Sequence, residues 1–250
     1  MQREKTYHLS VDDVFVSLAE VVDRDIGLFD HPVFTFLQSI HERFGIDIDL
    51  YLFGEGEASG HRRTLGDLAG QLHDELCEVP WIHFGPHALN YETRPYDQTL
   101  EELIMTFDSI YEQIDWLSGK TARSRCLRLH YFSECFEAIP YLRSKGIEVL
   151  YLTDRPAVSY NLPATQTTLL QESGAVVVDG MSLQRSFPRI ESLVTLDLSN
   201  LKLATMLRDY VQLYGYVALF THEINLADAK VRDLIFRCLL QLENLGAKPI

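Results

Sequence analysis

Hydrophobic and polar positions along this chain fall into blocks whose period switches between two and three to four. Tyr7, Leu9 and Val11 share one face of an extended stretch that closes on the carboxylates Asp12 and Asp13. Phe34, Leu37, Ile40 and Phe44 have helical spacing, so Pro32–Phe44 is predicted helical and stops at Gly45. Ile46–Phe53 alternates and then fills with apolar residues, as a strand does, and Gly54–Gly60 is a polar loop. A helix over Leu65–Leu76 leads to a strand over Val79–Gly85, broken by Pro86-His87. Thr99 caps a long amphipathic helix to Leu117, with Glu102 at the capping-box position.

The alternation continues with a strand over Arg125–Phe132, a helix capped by Ser133 that reaches Lys145-Gly146, and a strand from Ile147 to Leu152 that ends at Asp154. It lapses between Arg155 and Thr195, where Val176–Val178, Asp179-Gly180 and Ser182–Phe187 predict a short hairpin insertion. A helix over Leu201–Tyr214, a strand over Tyr216–Phe220 ending in Thr221-His222-Glu223, and a helix capped by Asn225 and running to Gly246 close the chain. Strand and helix in alternation imply an α/β protein with a parallel sheet. At least six strands with crossover-length connections fit one domain over residues 1–250, built as a barrel or distorted barrel.

Composition narrows the class. The chain has 250 residues, is 46% hydrophobic and carries a net charge of −14, enough for one large core and unfavourable toward nucleic acid or an anionic membrane. The four cysteines form no Cys-x-x-Cys pair, and no apolar run reaches membrane-spanning length. The expectation is a cytoplasmic protein with reduced thiols and no membrane insertion.

Ionisable groups collect at predicted strand ends: Asp12 and Asp13, His87, Arg128 and His130, Asp154, and His222. Ends of parallel strands face one mouth, so these groups should converge there. Because neighbouring residues of a strand point to opposite faces, Asp12 and Asp13 can serve one site only if the strand stops at them. A carboxylate with neutral imidazoles suits a divalent metal, most simply Zn²⁺, with an open position for water. A second carboxylate can take the proton of that water, which points to hydrolysis of an acyl or related bond.

Four segments in order resemble the NodB-like polysaccharide deacetylases, a carbohydrate esterase family with a distorted (β/α) barrel. Ser10-Val11-Asp12-Asp13 is similar to its Thr-Phe-Asp-Asp motif, Arg128-Leu129-His130-Tyr131 to its Arg-x-Pro-Tyr, and Leu219-Phe220-Thr221-His222-Glu223 to its final Leu-x-His. Phe84-Gly85-Pro86-His87-Ala88 and Leu127–Phe132 further resemble a divergent branch of surface-polysaccharide and O-antigen biosynthesis proteins. The resemblance implies a metal-dependent deacetylase acting on an acetylated carbohydrate. It implies Asp12 as general base, Asp13 as metal ligand, His222 as general acid, Arg128 as the partner of Asp12, and an oxyanion donor near Tyr131. Tyr131, Asp154 and Glu223 are the expected substrate-facing residues, with Glu223 also a candidate acid. Two motifs depart from the family. His-[Ser/Thr]-x-x-His is absent, with Tyr91 four residues after His87, and so is the Asp-x-x-Asp-Trp that orients the acid. The third metal ligand is therefore open between His130, His83 and Tyr91, with His130 favoured because it shares the strand face of Arg128.

Overall fold

The computed structural model describes residues 4–250. In chain order the elements are β1 (Thr6–Val14), α1 (Val16–Arg24), α2 (Pro32–Phe44), β2 (Ile48–Phe53), β3 (Glu55–Ala58), β4 (His61–Thr64) and α3 (Leu65–Cys77). They continue with β5 (Ile82–Ala88), α4 (Leu100–Ser118), β6 (Cys126–Leu127), α5 (Ile139–Ser144), β7 (Val149–Leu152), α6 (Ala164–Ser173), β8 (Ala175–Val178) and β9 (Met181–Arg185). The last are α7 (Ile190–Val194), α8 (Asn200–Tyr214), β10 (Tyr216–His222), α9 (Ala229–Asn244) and β11 (Lys248–Pro249).

The strands form two curved sheets. One runs β10-β1-β2-β5, all parallel, with β11 beside β1; the other runs β6-β7-β9-β8. The sheets meet at two seams. Ser124 N–H donates to the Phe84 carbonyl at 2.8 Å, and Phe187 N–H donates to the Ala218 carbonyl at 3.0 Å. Tyr7, Leu9 and Val11 face the apolar core beneath the helices, while Ser10 and Asp12 turn the other way, onto Arg128. That alternation makes the inside of the sheets polar, an uncommon use of interior space that requires every group there to find a partner.

Several elements differ from the sequence expectation, each for a local reason. The strand at Pro86 does not break: β5 runs through Pro86-His87 to Ala88 because it is the edge of its sheet, where a missing N–H costs no ladder bond. The Gly54–Gly60 loop contains β3 and the turn of an antiparallel hairpin that β4 completes, and α1 goes undetected by apolar spacing. The Asp179-Gly180 turn exists, both residues having positive φ (46° and 79°) as the tight primed turn requires. It is not a free insertion, because β9 pairs in parallel with β7. The helix expected from Ser133 begins at Ile139, and the closing helix is capped by Asp228 rather than Asn225.

Gly85 lies where β5 passes closest to β6. A Cβ there would stand 2.3 Å from Leu127 Cδ2, whereas one at Gly70 in α3 would meet nothing within 4 Å. Gly85→Ala is expected to lower stability by about 1–3 kcal/mol through overpacking, and Gly70→Ala to raise it by about 0.4–1 kcal/mol. Urea midpoints check both; equal midpoints would contradict the close approach.

Candidate active site

The two adjacent carboxylates face the same mouth without the strand ending at them. The β1–β2 register shifts between Val11 and Val14, and Asp13 has φ +62°. A left-handed residue inside the strand breaks the two-residue alternation, so Asp12 and Asp13 project to one side and the strand resumes at Val14. Such a conformation is costly for a non-glycine residue and marks a position held by its surroundings.

Asp13 is held by two imidazoles. His87 Nε2 stands 3.0 Å and His130 Nδ1 3.2 Å from Asp13 Oδ1. Neither approach has hydrogen-bond angles, and Asp13 Oδ1 is a buried oxygen without a hydrogen-bond partner. The outer nitrogens explain this. His87 Nδ1 is 2.6 Å from the Arg128 carbonyl, and His130 Nε2 is 3.0 Å from the Tyr91 carbonyl. A carbonyl only accepts, so both outer nitrogens carry the proton, and in the neutral imidazoles both inner ones present a lone pair. Two such lone pairs and a carboxylate oxygen within 4.8 Å of one another form a donor set that can hold a cation. The residues fit a divalent metal: two neutral imidazoles and one carboxylate, each imidazole fixed by a carbonyl behind it.

The other two candidates for the third ligand lie elsewhere. His83 faces Asp47 at 3.3 Å near the opposite end of β5, four residues before His87, and Tyr91 supplies its carbonyl rather than its ring. His130 reaches the site by a different route from the expected strand. β6 stops at Leu127, and the chain enters a tight turn in which Tyr131 and Phe132 have φ of +57° and +54°. Phe132 N–H to the Leu129 carbonyl (2.8 Å) and Ser133 Oγ to the His130 carbonyl (2.7 Å) hold the turn closed.

Arg128 is 1% exposed, and its guanidinium is laid over Phe220 at 3.9 Å. Its Nη1 donates to Asp12 Oδ1 at 2.9 Å and Ser10 Oγ at 2.8 Å, and its Nε to Ser186 Oγ at 3.2 Å. Asp12 is thereby fixed beside the metal position.

His222 is paired in register with Asp12 on the adjacent strand. The two are therefore side by side, not across the mouth from one another. His222 Nδ1 donates to Glu191 Oε1 at 2.5 Å, and Thr221 Oγ1 donates to Glu191 Oε2 at 3.0 Å. Burial lowers the His222 pKa, but Glu191, Asp12 and Asp13 together raise it above the ordinary 6.5. Glu191 holds the His222 ring, whereas Asp154, the sequence's candidate to stand in for the missing orienting motif, does not contact it. Glu191 starts a five-residue helix inside the stretch of lost periodicity, so no pattern marks it.

Asp154 and Glu223 do not reach the position expected of them. Both oxygens of Asp154 are taken by the Arg189 side chain at 2.9 Å. The carboxylate of Glu223 accepts the N–H groups of Phe15, Val16 and Ser17 and so ties down the start of α1. Tyr131 does face the cleft, 42% exposed. The cleft has a volume of about 700 Å³ and brings Asp12, Asp13, His87, Arg128, His130 and His222 together. Its far wall is the segment Ser159–Asn161, tied by three groups to the buried carboxylate of Glu134, another residue the sequence gives no reason to select.

No protein-family model matches the chain, and no curated protein matches it. Solved structures do. A 4-α-glucanotransferase from Thermococcus litoralis is 12% identical with a TM-score of 0.58, covering 98% of this chain and 37% of its own. A Mycobacterium smegmatis protein assigned as a polysaccharide deacetylase is 12% identical with a TM-score of 0.50, covering 100% and 94%. A polysaccharide deacetylase from Bacillus cereus is 12% identical with a TM-score of 0.47, covering 98% and 90%. This chain shares the α/β fold of the first two, with its parallel-strand sheet.

The raised His222 pKa has a sign that stability reports. The His222–Glu191 pair stabilises the fold fully below pH 6.5 and loses its contribution as pH rises through the raised folded value. Thermal melts of the protein and of Glu191→Gln from pH 6 to 9 should show a gap that narrows with rising pH. A gap that widens would place the proton elsewhere.

Proposed function

We propose that the protein is a metal-dependent hydrolase that removes an acyl group, acetyl first, from an amino sugar or polysaccharide precursor. The observation that carries this is the convergence of the Asp13, His87 and His130 donors beside a carboxylate and an imidazole that each have their own orienting partner. The two curved sheets joined at their seams are read as the distorted barrel of the NodB-like deacetylases, although the glucanotransferase shows that the same fold also serves sugar transfer. The site favours the first. A retaining glycosidase pair needs two carboxylates free to meet the anomeric carbon, and here Asp13 is committed to two imidazoles.

A bound Zn²⁺ would supply Lewis acidity to the acyl carbonyl and lower the pKa of a water. Asp12, its orientation fixed by Arg128, is placed to accept the proton of a water that adds to the acyl carbon. His222, supported at Nδ1 by Glu191, donates its Nε2 proton to the leaving nitrogen as the C–N bond breaks. Tyr131 and Tyr160, both exposed at the cleft wall, provide ring faces for a sugar, and the cleft volume suits a short oligosaccharide or a sugar nucleotide. Four free cysteines fit a reducing, cytoplasmic setting, and no described helix is long and apolar enough to cross a membrane. The O-antigen branch is the divergent group whose His87 and His130 segments this chain resembles.

Acetate release from acetylated amino sugars and sugar nucleotides tests the reading. Activity should vanish on chelation and return with Zn²⁺, and its pH profile should be bell-shaped. Asp12→Asn should cut turnover by about 10²–10⁴-fold with the metal retained. His222→Ala should slow amides more than aryl esters. Turnover that survives complete metal removal would overturn the proposal.

A further inference from the structure

The polar interior continues below the active site. On β1, His8 precedes Ser10 and Asp12 on the same face; on β2, Asp49 precedes Tyr51; and Cys126 precedes Arg128 and His130. His8 is four residues before Asp12 along β1, so the deep groups lie about 13 Å down that strand from the mouth. There the donor atoms of His8, Asp49 and Cys126 come within 4.8 Å of one another. His8 Nε2 is 2.6 Å from Asp49 Oδ2. The hydroxyl of Tyr51 donates to that same oxygen at 3.4 Å, and the hydroxyl of Tyr151 approaches Cys126 Sγ at 3.8 Å. The His8 side chain is 5% exposed, and its Nδ1 has no hydrogen-bond partner among the described residues. None of these groups has a part in the hydrolytic site.

We propose that His8, Asp49 and Cys126 form a second divalent-cation site, with zinc the ion that a mixed nitrogen, oxygen and sulfur donor set suits best. The site is structural. Its three donors come from β1, β2 and β6, so an ion there ties the first sheet to the second, beside a seam that otherwise depends on the contact of Phe84 with the Arg123–Ser124 backbone. Binding exchanges one proton for the ion: the thiol proton of Cys126 passes to solvent, the ring proton that His8 Nε2 shares with Asp49 moves to His8 Nδ1, and a thiolate, a carboxylate and a neutral imidazole face the cation. Half-exposed Cys126 provides the way in. Burial, with Asp49 nearby, pushes the free thiol up to about 12, so the thiolate forms only with the ion present.

Cobalt(II) separates this site from the mouth, because only a thiolate ligand gives the near-ultraviolet sulfur-to-cobalt charge-transfer band and the mouth set has no sulfur. The reference protein is Cys77→Ser, since Cys77 and His73 lie 3.7 Å apart on exposed α3 and would take cobalt themselves. Its titration should saturate at two equivalents and develop the band. Adding His87→Ala should keep the band and lose one equivalent. Adding Cys126→Ser should abolish the band and keep one equivalent, and adding His8→Asn should weaken the deep site at least tenfold. Absence of the band in the reference protein at saturating cobalt would overturn the proposal without any core variant. A band that survives Cys126→Ser would overturn it as well.

Discussion

The rest of the structure depends on one buried cation. Arg128 sits between the two sheets with its guanidinium on the ring of Phe220 and its N–H groups on Ser10, Asp12 and Ser186. These partners come from β1 and from the chain just past β9, so one side chain joins both sheets through their interior. Its own carbonyl receives the Nδ1 proton of His87. Asp12, His87 and the sheet seam are therefore linked through one residue. Its Nη1 and Nε are paired while Nη2 has no partner among the described residues, and removing Arg128 to leave Asp12 unpaired at the same depth would cost about 3–5 kcal/mol.

Around that centre the mouth is assembled from strained pieces. Asp13, Tyr131 and Phe132 all hold left-handed backbone, at about 1–3 kcal/mol each, and all three lie within the cleft wall. The strain has a geometric purpose. Asp13 turns a second carboxylate to the side of Asp12, and the turn at Tyr131 brings His130 back toward Asp13. Rigid neighbours absorb the cost: the parallel strands β10, β1 and β2 behind Asp13, and the Leu129–Phe132 and His130–Ser133 bonds around the turn.

Much of this is legible in the sequence because caps and periodicity are local. Pro32–Phe44 ends at Gly45 as predicted, and Thr99 with Glu102 opens α4. His87, His130, Asp12, Asp13, Arg128 and His222 do meet, because ends of parallel strands share a mouth. What is not legible is set by tertiary contacts. Arg125–Phe132 has a strand's alternation, yet its second half folds into a turn. Pro86 looks like a breaker until the strand proves to be an edge. Glu191 sits in the aperiodic stretch and Glu134 at the start of the helix expected after Ser133, and only the folded chain shows that one holds the His222 imidazole and the other the Ser159–Asn161 segment. Asp154 and Glu223 have the right residue type at the right strand ends, but Arg189 and three backbone N–H groups claim them first.

The central claim is that Asp13, His87 and His130 surround a cation. Anomalous difference density at the zinc edge, from crystals grown with Zn²⁺, reads it most directly. The account predicts a peak at the mouth within bonding distance of Asp13 Oδ, His87 Nε2 and His130 Nδ1, with Asp12 beside it. A mouth without anomalous density, in which His87 and His130 instead donate well-aligned hydrogen bonds to Asp13, would contradict it.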